Sequence, residues 1–321
     1  MQPIVAIAYG SPDDAEIEHN ILKEINAKLV HIGNTTSPEA KEVIKTADAL
    51  MVTTHLVPTD MINGMQNCKI ISRSGTGLDA IDLETAAKRG IWVAYVPDYS
   101  VDEVSTHAIA LMLTFARGIP QVVAAAKQGD WSNRAAIPLY RLRGQKFGIF
   151  GFGRIGQASA VKAAGLGMEV LAYDRYMTDD QIRAAGATPV DWETLLRTSD
   201  YLTLHSPLTP ETQKIINAEA LSKMKPNAVL INTARGGLID EEALNEALNN
   251  GTIRGAGLDV LTVEPAPADH FLINNPRAIV TPHTGWYSEE GGVDVRVRAA
   301  EEVVRIFKGE SPRCPANKPV F

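Results

Sequence analysis

The strongest constraint on this chain is a rhythm. Short runs of β-branched and apolar residues alternate with longer helical stretches along its length. That alternation is the signature of α/β units on a parallel sheet. Residues 4–8 read as a first strand, bounded by Gly10-Ser11-Pro12. Asp13 or Asp14 is placed to cap a following helix with Ile17, Ile21, Leu22 and Ile25 on one face. Further strands are expected at 29–32, 49–53, 69–72 and 91–95. Ser37-Pro38 makes a good helix start, because proline suits the first helical position. Residues 82–89, closed by Gly90, form a short capped helix. These elements amount to a doubly wound unit ending near residue 100.

A second α/β series begins at Lys146, with strands expected at 147–150, 169–173, 201–204, 228–232, 255–259 and 278–281. With 321 residues and about 150 residues per domain, two domains are expected. Between the series, residues 101–117 are helical but apolar on more than one face, through Val104, Ala108, Ile109, Leu111, Met112, Leu113 and Phe115. Such a helix is buried all round, between domains or at a subunit interface. A closing helix at 293–307 is too isolated to be a domain and should pack back on the first unit.

The second series opens with a glycine pattern, Gly151-x-Gly153-x-x-Gly156, between an apolar strand and a small-residue helix. That context gives an otherwise weak match its meaning. Gly151 permits the tight turn, Gly153 lets backbone approach a pyrophosphate, and Gly156 lets helix and strand pack closely. The helix N-terminus offers free N–H groups and a positive dipole end to phosphates. Asp174 ends the next strand, where an acid accepts hydrogen bonds from a ribose diol and repels a 2′-phosphate. NAD, bound as NAD or NADH, is therefore favoured over NADP, although the adjacent Arg175 leaves a route for pairing with a 2′-phosphate.

Three later strands run into reactive groups. Residues 228–232 lead to Arg235, 255–259 to Glu264-Pro265, and 278–281 to His283. In an open parallel sheet ligands sit outside the carboxyl ends of the strands, so the three converge on the edge that holds the glycine loop. Histidine can pass a proton to or from a hydroxyl near neutrality. A carboxylate at its other nitrogen fixes the tautomer and favours imidazolium. Arginine supplies a planar fork for a carboxylate and polarises a neighbouring carbonyl. These are the groups a carbonyl–alcohol hydride transfer needs when a nicotinamide carries the hydride.

Composition narrows the partners. Lys and Arg total 31 against 38 Asp and Glu, a net charge of −7, and no long basic block is present. No nucleic-acid partner is expected, since phosphate tracking needs a concentrated Lys/Arg face. The longest apolar stretch, 108–116, is far short of the ~20 residues that span a bilayer, so no membrane partner is expected. Two cysteines, Cys68 and Cys314, cannot build a disulfide framework or a zinc site. No metal is expected, and cytoplasmic localisation follows from the cysteine usage and the lack of a basic leader.

The motifs together resemble the D-isomer-specific 2-hydroxyacid dehydrogenase family. The matching segments are Ile149-Phe150-Gly151-Phe152-Gly153-Arg154-Ile155-Gly156, Asn232-Thr233-Ala234-Arg235-Gly236-Gly237-Leu238-Ile239-Asp240, Gly257-Leu258-Asp259-Val260 with Glu264-Pro265, and Thr281-Pro282-His283. With Ser72-Arg73-Ser74-Gly75-Thr76-Gly77 the likeness covers most of the chain. It implies two doubly wound parallel-sheet domains, a Rossmann cofactor domain over residues 101–289 and a flavodoxin-like substrate domain of 1–100 plus 290–321. It implies NAD-linked interconversion of a 2-oxo acid and a D-2-hydroxy acid. Arg235 would bind the substrate carboxylate and carbonyl, His283 would be the acid/base, and Glu264 its partner. Backbone N–H groups of Ser74, Gly75, Thr76 and Gly77 would help hold the carboxylate.

Cofactor contacts carry over by position. Thr76 and Thr106 would lie on the nicotinamide side, and Arg154 and Ile155 near the pyrophosphate. Ser206, Pro207 and Thr212 would border the adenine and linker. Thr233, Ala234, Asp259 and Gly285 would surround the nicotinamide. The family is usually a homodimer through the cofactor domain, which makes the helix from Val101 the expected interface. The segment from His283 to Glu289 looks most like the branch of the C-terminal-binding protein corepressors and their bacterial dehydrogenase relatives, in which Trp286 would line the substrate pocket. Gly285 stands where that branch leads one to expect alanine, which would loosen the loop. The alternative this branch implies is an NAD(H)-sensing dimer that recruits partner proteins.

Overall fold

A computed structural model describes residues 2–10, 14–132, 134–136 and 138–320. The chain divides into one unit of Met1–Tyr99 with Ser288–Phe321 and another of Ser100–Tyr287. The first unit runs β1 (Ile4–Ile7), α1 (Glu16–Leu22), β2 (Lys28–His31), α2 (Pro38–Thr46), β3 (Ala49–Val52), α3 (Thr59–Gly64), β4 (Ile70–Arg73), α4 (Leu83–Lys88) and β5 (Trp92–Tyr95). Its five strands pair in parallel in the order β2-β1-β3-β4-β5, the flavodoxin-like order. Every residue of β3 and β4 is buried. Strands covered on both faces read as continuous apolar runs, which is why they stood out in the sequence.

Local caps set the helix starts. Ser37 Oγ accepts the Ala40 N–H at 3.2 Å to open α2, and Asp82 accepts the Thr85 N–H at 3.0 Å to open α4. The first helix departs from expectation. It begins at Glu16 after Ala15, with no side-chain cap, so Asp14 does not cap it. Ser11, Pro12 and Asp13 lie outside the described residues.

The second unit runs α5 (Val101–Arg117), α6 (Ile119–Lys127), β6 (Lys146–Phe150), α7 (Arg154–Gly165), β7 (Glu169–Tyr173), α8 (Asp179–Ala184), β8 (Thr188–Pro189), α9 (Trp192–Thr198), β9 (Tyr201–Leu204), α10 (Ala218–Lys223), β10 (Val229–Asn232), α11 (Glu241–Asn249), β11 (Gly255–Leu258) and β12 (Ala278–Val280). Its seven parallel strands lie in the order β12-β11-β10-β9-β6-β7-β8. Numbered from β6, one edge reads 3-2-1-4-5-6, the Rossmann order, with its switch point between β6 and β9. The strand missing from the sequence reading is β8. It has two residues at the sheet edge, too few to leave a pattern.

The closing helix, α12 (Glu289–Phe307), belongs to the first unit. It starts earlier than expected because Ser288 Oγ accepts the Gly291 N–H at 2.8 Å, and the helix then runs through Gly291-Gly292. Val295, Ala299, Ala300 and Val303 join the core built on β1, β3 and β4. Ser72 Oγ of β4 donates to the Ala299 carbonyl at 2.7 Å.

The long apolar helix α5 is largely buried, as its pattern implies. Ala108, Leu111, Met112 and Phe115 are buried in the core of its own unit, with Phe147, Ile149, Val229 and Ile231. Its apolar faces are thus consumed within the unit. The helix after it, α6, has no buried residue although Ile119, Val122 and Val123 stud it. Among the described residues, no single helix is long and apolar enough to cross a membrane.

Candidate active site

The glycine loop lies at the switch point. Gly151 has φ +90° and faces the start of the β9 loop, where a Cβ would fall 2.5 Å from Ser206 N. A Cβ on Gly156 would strike the Gly151 carbonyl at 2.3 Å, so helix α7 can lie this close to β6 only with glycine at both places. At Gly153 a Cβ would meet nothing within 4 Å. The cap of α7 is Gly153, which brings no side chain to its N-terminal N–H groups. The result is an open, positively polarised helix end with room for a phosphate.

Asp174 stands beside this loop. Its Oδ2 accepts the Phe152 N–H at 2.7 Å, and its Oδ1 accepts the N–H groups of Tyr176 and Met177 at 2.8 and 3.2 Å. The carboxylate is thereby fixed in place, with lone pairs left for a diol. Across the switch point, Thr212 Oγ1 donates to the Pro207 carbonyl and accepts the Thr209 N–H, both at 2.8 Å. This folds the loop that starts at Ser206 back on itself. Thr233 Oγ1, at the end of β10, is a buried polar atom with no hydrogen-bond partner. An open helix end, a fixed acid and an orphaned hydroxyl fit a dinucleotide whose carboxamide would satisfy Thr233.

Beyond the neighbouring strands the reactive groups come together. His283 Nδ1 lies 2.6 Å from Glu264 Oε2, which leaves Nε2 as the ring nitrogen available for proton transfer. Burial pushes the Glu264 carboxyl up, but hydrogen bonds from His283 and from the Leu261 N–H together hold it below the usual carboxylate range. Glu264 is therefore ionised at neutral pH and orients the imidazole. Arg235 is set by its own turn. Asn232, fully buried, accepts the Ala234 N–H at 3.0 Å and donates to the Arg235 carbonyl at 2.8 Å. Gly236 brings the two loops together, because a Cβ there would lie 2.0 Å from the Leu261 carbonyl carbon.

Asp259 turns out to be a structural node. Its Oδ1 accepts Thr281 Oγ1–H at 2.6 Å and the Thr284 N–H at 2.9 Å, and its Oδ2 accepts the Gly285 N–H at 2.8 Å. Burial raises its pKa, but the hydrogen bonds from His107, Thr281, Gly285 and Thr284 bring it below the ordinary value. Gly285 therefore does not loosen the loop. A Cβ there would come 2.8 Å from Asp259 Oδ2, so glycine is what lets the carboxylate pin the loop. Trp286 follows, half-buried, edge-on to Tyr287 with centroids 5.4 Å apart.

In the first unit, the segment from Ser74 to Gly77 follows β4. Gly75 has φ +154° and lies over the Arg73 guanidinium. Arg73 donates to the Gly77 carbonyl at 2.9 Å and to the Ser74 carbonyl at 3.0 Å, and so holds the loop from beneath. Thr76 is exposed and donates to the Val96 carbonyl at 3.2 Å. In the second unit Thr106, Arg154 and Pro207 are exposed, while Ile155, Ser206 and Ala234 are half-buried. The sequence reading missed Asn232 as the clamp on Arg235 and His107 and Thr281 as partners of Asp259. Asn232 acts across a turn, and His107 and Thr281 meet Asp259 across long stretches of chain, where spacing carries no signal.

A Rossmann sheet with a glycine loop at its switch point and a His–carboxylate pair at its strand ends is the layout of a dinucleotide-dependent oxidoreductase. Residues 109–285 match the NAD binding domain of the D-isomer specific 2-hydroxyacid dehydrogenases. The chain is 40% identical over 303 residues to the D-3-phosphoglycerate dehydrogenase of Methanocaldococcus jannaschii, covering 93% of this chain and 57% of that one. It thus spans little more than half the length of that relative. Identity to the glyoxylate reductase of Thermococcus litoralis is 39% over 288 residues, 87% of this chain and 86% of the relative. The crystal structure of a D-lactate dehydrogenase from Aquifex aeolicus, complexed with NAD and lactic acid, superposes with a TM-score of 0.89 at 28% identity, covering 99% of this chain and 100% of that one. The chain belongs to the D-isomer specific 2-hydroxyacid dehydrogenase family.

Proposed function

We propose that this protein interconverts a 2-oxo acid and the corresponding D-2-hydroxy acid. NAD, held by Gly151, Gly153, Gly156, Asp174 and Thr233, supplies the hydride acceptor or donor when bound. His283 Nε2 gives the proton to the developing alkoxide in reduction and takes it in oxidation. Glu264 holds the imidazole by Nδ1 and favours its protonated form, so that Nε2 carries a proton when reduction requires one. Arg235 pairs with the substrate carboxylate and polarises the carbonyl. The Ser74 and Gly75 N–H groups, expected as further carboxylate donors, are already taken by the Val52 and Arg73 carbonyls at 2.8 and 2.9 Å. The observation that carries this reading is the 2.6 Å contact between His283 and Glu264 at the carboxyl edge of a dinucleotide-binding sheet.

Asp174 favours NAD over NADP. Trp286 borders the substrate side chain and suits an apolar, aromatic or thioether group. The protein works as a homodimer through its cofactor-binding unit, and the apolar face that supports this is that of α6, with Ile119 and Val123 each 46% exposed. The free thiols of Cys68 and Cys314 suit the reducing cytoplasm. The test is NADH and NADPH oxidation against a panel running from glyoxylate, hydroxypyruvate and pyruvate to phenylpyruvate and a thioether analogue. Turnover with NADH on a panel member is expected. NADH binding with no turnover, together with NADH-dependent capture of a protein partner, would instead mark a cofactor-gated recruiter.

A further inference from the structure

One polar side chain on α5 reaches the loop that carries His283. His107 Nε2 lies 2.9 Å from Thr281 Oγ1 and 3.3 Å from Asp259 Oδ1. The direction of each bond follows from chemistry. Ionised Asp259 only accepts. Thr281 has one hydroxyl proton, and the 2.6 Å contact directs it to Asp259. The Thr281 oxygen can then only accept from the ring, so His107 carries its hydrogen on Nε2.

This chain of bonds ends on the backbone of His283. The two amides that follow His283, those of Thr284 and Gly285, both donate to the Asp259 carboxylate. The His283 N–H lies 2.9 Å from the Asp259 carbonyl and 3.0 Å from the Thr281 carbonyl. His283 itself sits at φ +52°, a left-handed conformation that a non-glycine residue keeps only when its surroundings impose it. Asp259 and Thr281 impose it from the two strands that flank the loop, and His107 braces both from a third element. The brace has no slack, because a Cβ at Gly285 would come within 3.3 Å of the His107 ring and 2.8 Å of Asp259 Oδ2.

We propose that His107 is a positioning residue for proton transfer. Through Thr281 and Asp259 it locks the left-handed backbone that aims the His283 ring at Glu264 on one side and at the substrate hydroxyl on the other. The inference rests on the acid/base reading of His283, and its test separates the two. His107→Leu removes the donor, whereas His107→Gln keeps an N–H at nearly the same reach. A misplacement of the acid/base by about 1 Å costs on the order of 10²-fold. The Leu variant should therefore lose about that factor in kcat, with NADH affinity kept and the melting temperature little changed. The Gln variant should recover most of the rate.

A direct readout needs neither substrate nor cofactor. The strongly deshielded Nδ1–H proton of His283, shared with Glu264, should broaden or disappear from the proton NMR spectrum of the Leu variant and persist in the Gln variant. If that resonance and kcat are unchanged in the Leu variant, the proposal fails. It also fails if Leu and Gln lose rate and thermal stability alike, since His107 would then serve only folding. If the unaltered protein turns over no 2-oxo acid, the acid/base reading fails, and the resonance still decides whether His107 positions the ring.

Discussion

The two units share one plan, a parallel sheet with helices on both faces, yet they treat the ends of their strands in opposite ways. In the first unit one line of polar groups at that edge is turned inward and satisfied, although the buried ring nitrogens of His31, at the end of β2, have no partner. Ser74 Oγ donates to Tyr9 OH at 3.1 Å, Tyr9 donates to Glu18 at 3.2 Å, and Arg296 closes the line on Glu18 at 2.6 and 2.8 Å. Burial and the Glu18 charge push the Tyr9 phenol well above its usual range, so it stays a neutral hydrogen-bond donor. In the second unit the reactive groups leave valences open: Thr233 Oγ1 is buried without a partner, and Glu264 engages only Nδ1 of His283. A satisfied network stabilises a scaffold, whereas an unsatisfied buried group costs stability and is retained where something is to be bound. The contrast is between a satisfied line beside the Ser74 loop and open groups beside the glycine loop and His283.

The largest effect should come from removing the reactive groups of the second unit. His283→Ala and Arg235→Ala should each lower kcat/KM by about 10²–10⁴-fold with the fold intact. Near-normal turnover in either would break the contrast at its strongest point. Next is the contact that joins the two reactive loops. Gly236→Ala would place a methyl 2.0 Å from the Leu261 carbonyl carbon, forcing apart the segments that carry Arg235 and Glu264. A loss of about 10²-fold in kcat is expected, and single-turnover rates with unchanged NADH affinity would locate it in the chemistry.

A smaller effect, visible in shape more than in size, should follow Glu264→Gln. His283 then loses the carboxylate that favours its protonated form, and the pH optimum for reduction should move to lower values. An unchanged pH–rate profile would remove Glu264 from its role. The same variant tests stability. The folded pKa of Glu264 is depressed, so the carboxylate contributes stability above its unfolded value of about 4.3 and loses it as pH falls through the folded value. The Gln variant should accordingly show a shallower fall in melting temperature on the acid side.

The smallest effect on turnover is expected in the first unit. Tyr9→Phe leaves the Ser74 hydroxyl without its partner and removes one hydrogen bond from Glu18, which keeps those from Arg296, a cost of about 1–3 kcal/mol in stability, while kcat stays near that of the unaltered protein. A large fall in kcat with stability preserved would mean that this satisfied line acts in the chemistry, and the contrast would collapse.

Much of this was legible before any coordinates. Strands buried on both faces announce themselves as apolar runs, and the glycine loop, Asp174, Arg235, Glu264 and His283 each stand at the end of such a run. What stayed hidden was hidden for identifiable reasons. Strand β8 is too short to show a period. The early start of α12 depends on one serine cap ahead of a Gly-Gly pair. The exposed apolar face belongs to α6 and not to α5, because whether an apolar helix is covered depends on what packs on it.

The sequence by itself determined the alternating elements, the two-sheet plan and the residue types at the strand ends. These follow from local patterning and from chemistry carried by single side chains. Only the tertiary structure decided that Asp259 is a node pinning the catalytic loop, that Asn232 clamps the turn of Arg235, and that His107 braces Thr281 from a helix 174 residues away in sequence. Hydrogen bonds of this kind act over about 3 Å in space. Chain separation puts no limit on them, so no spacing in the sequence records them.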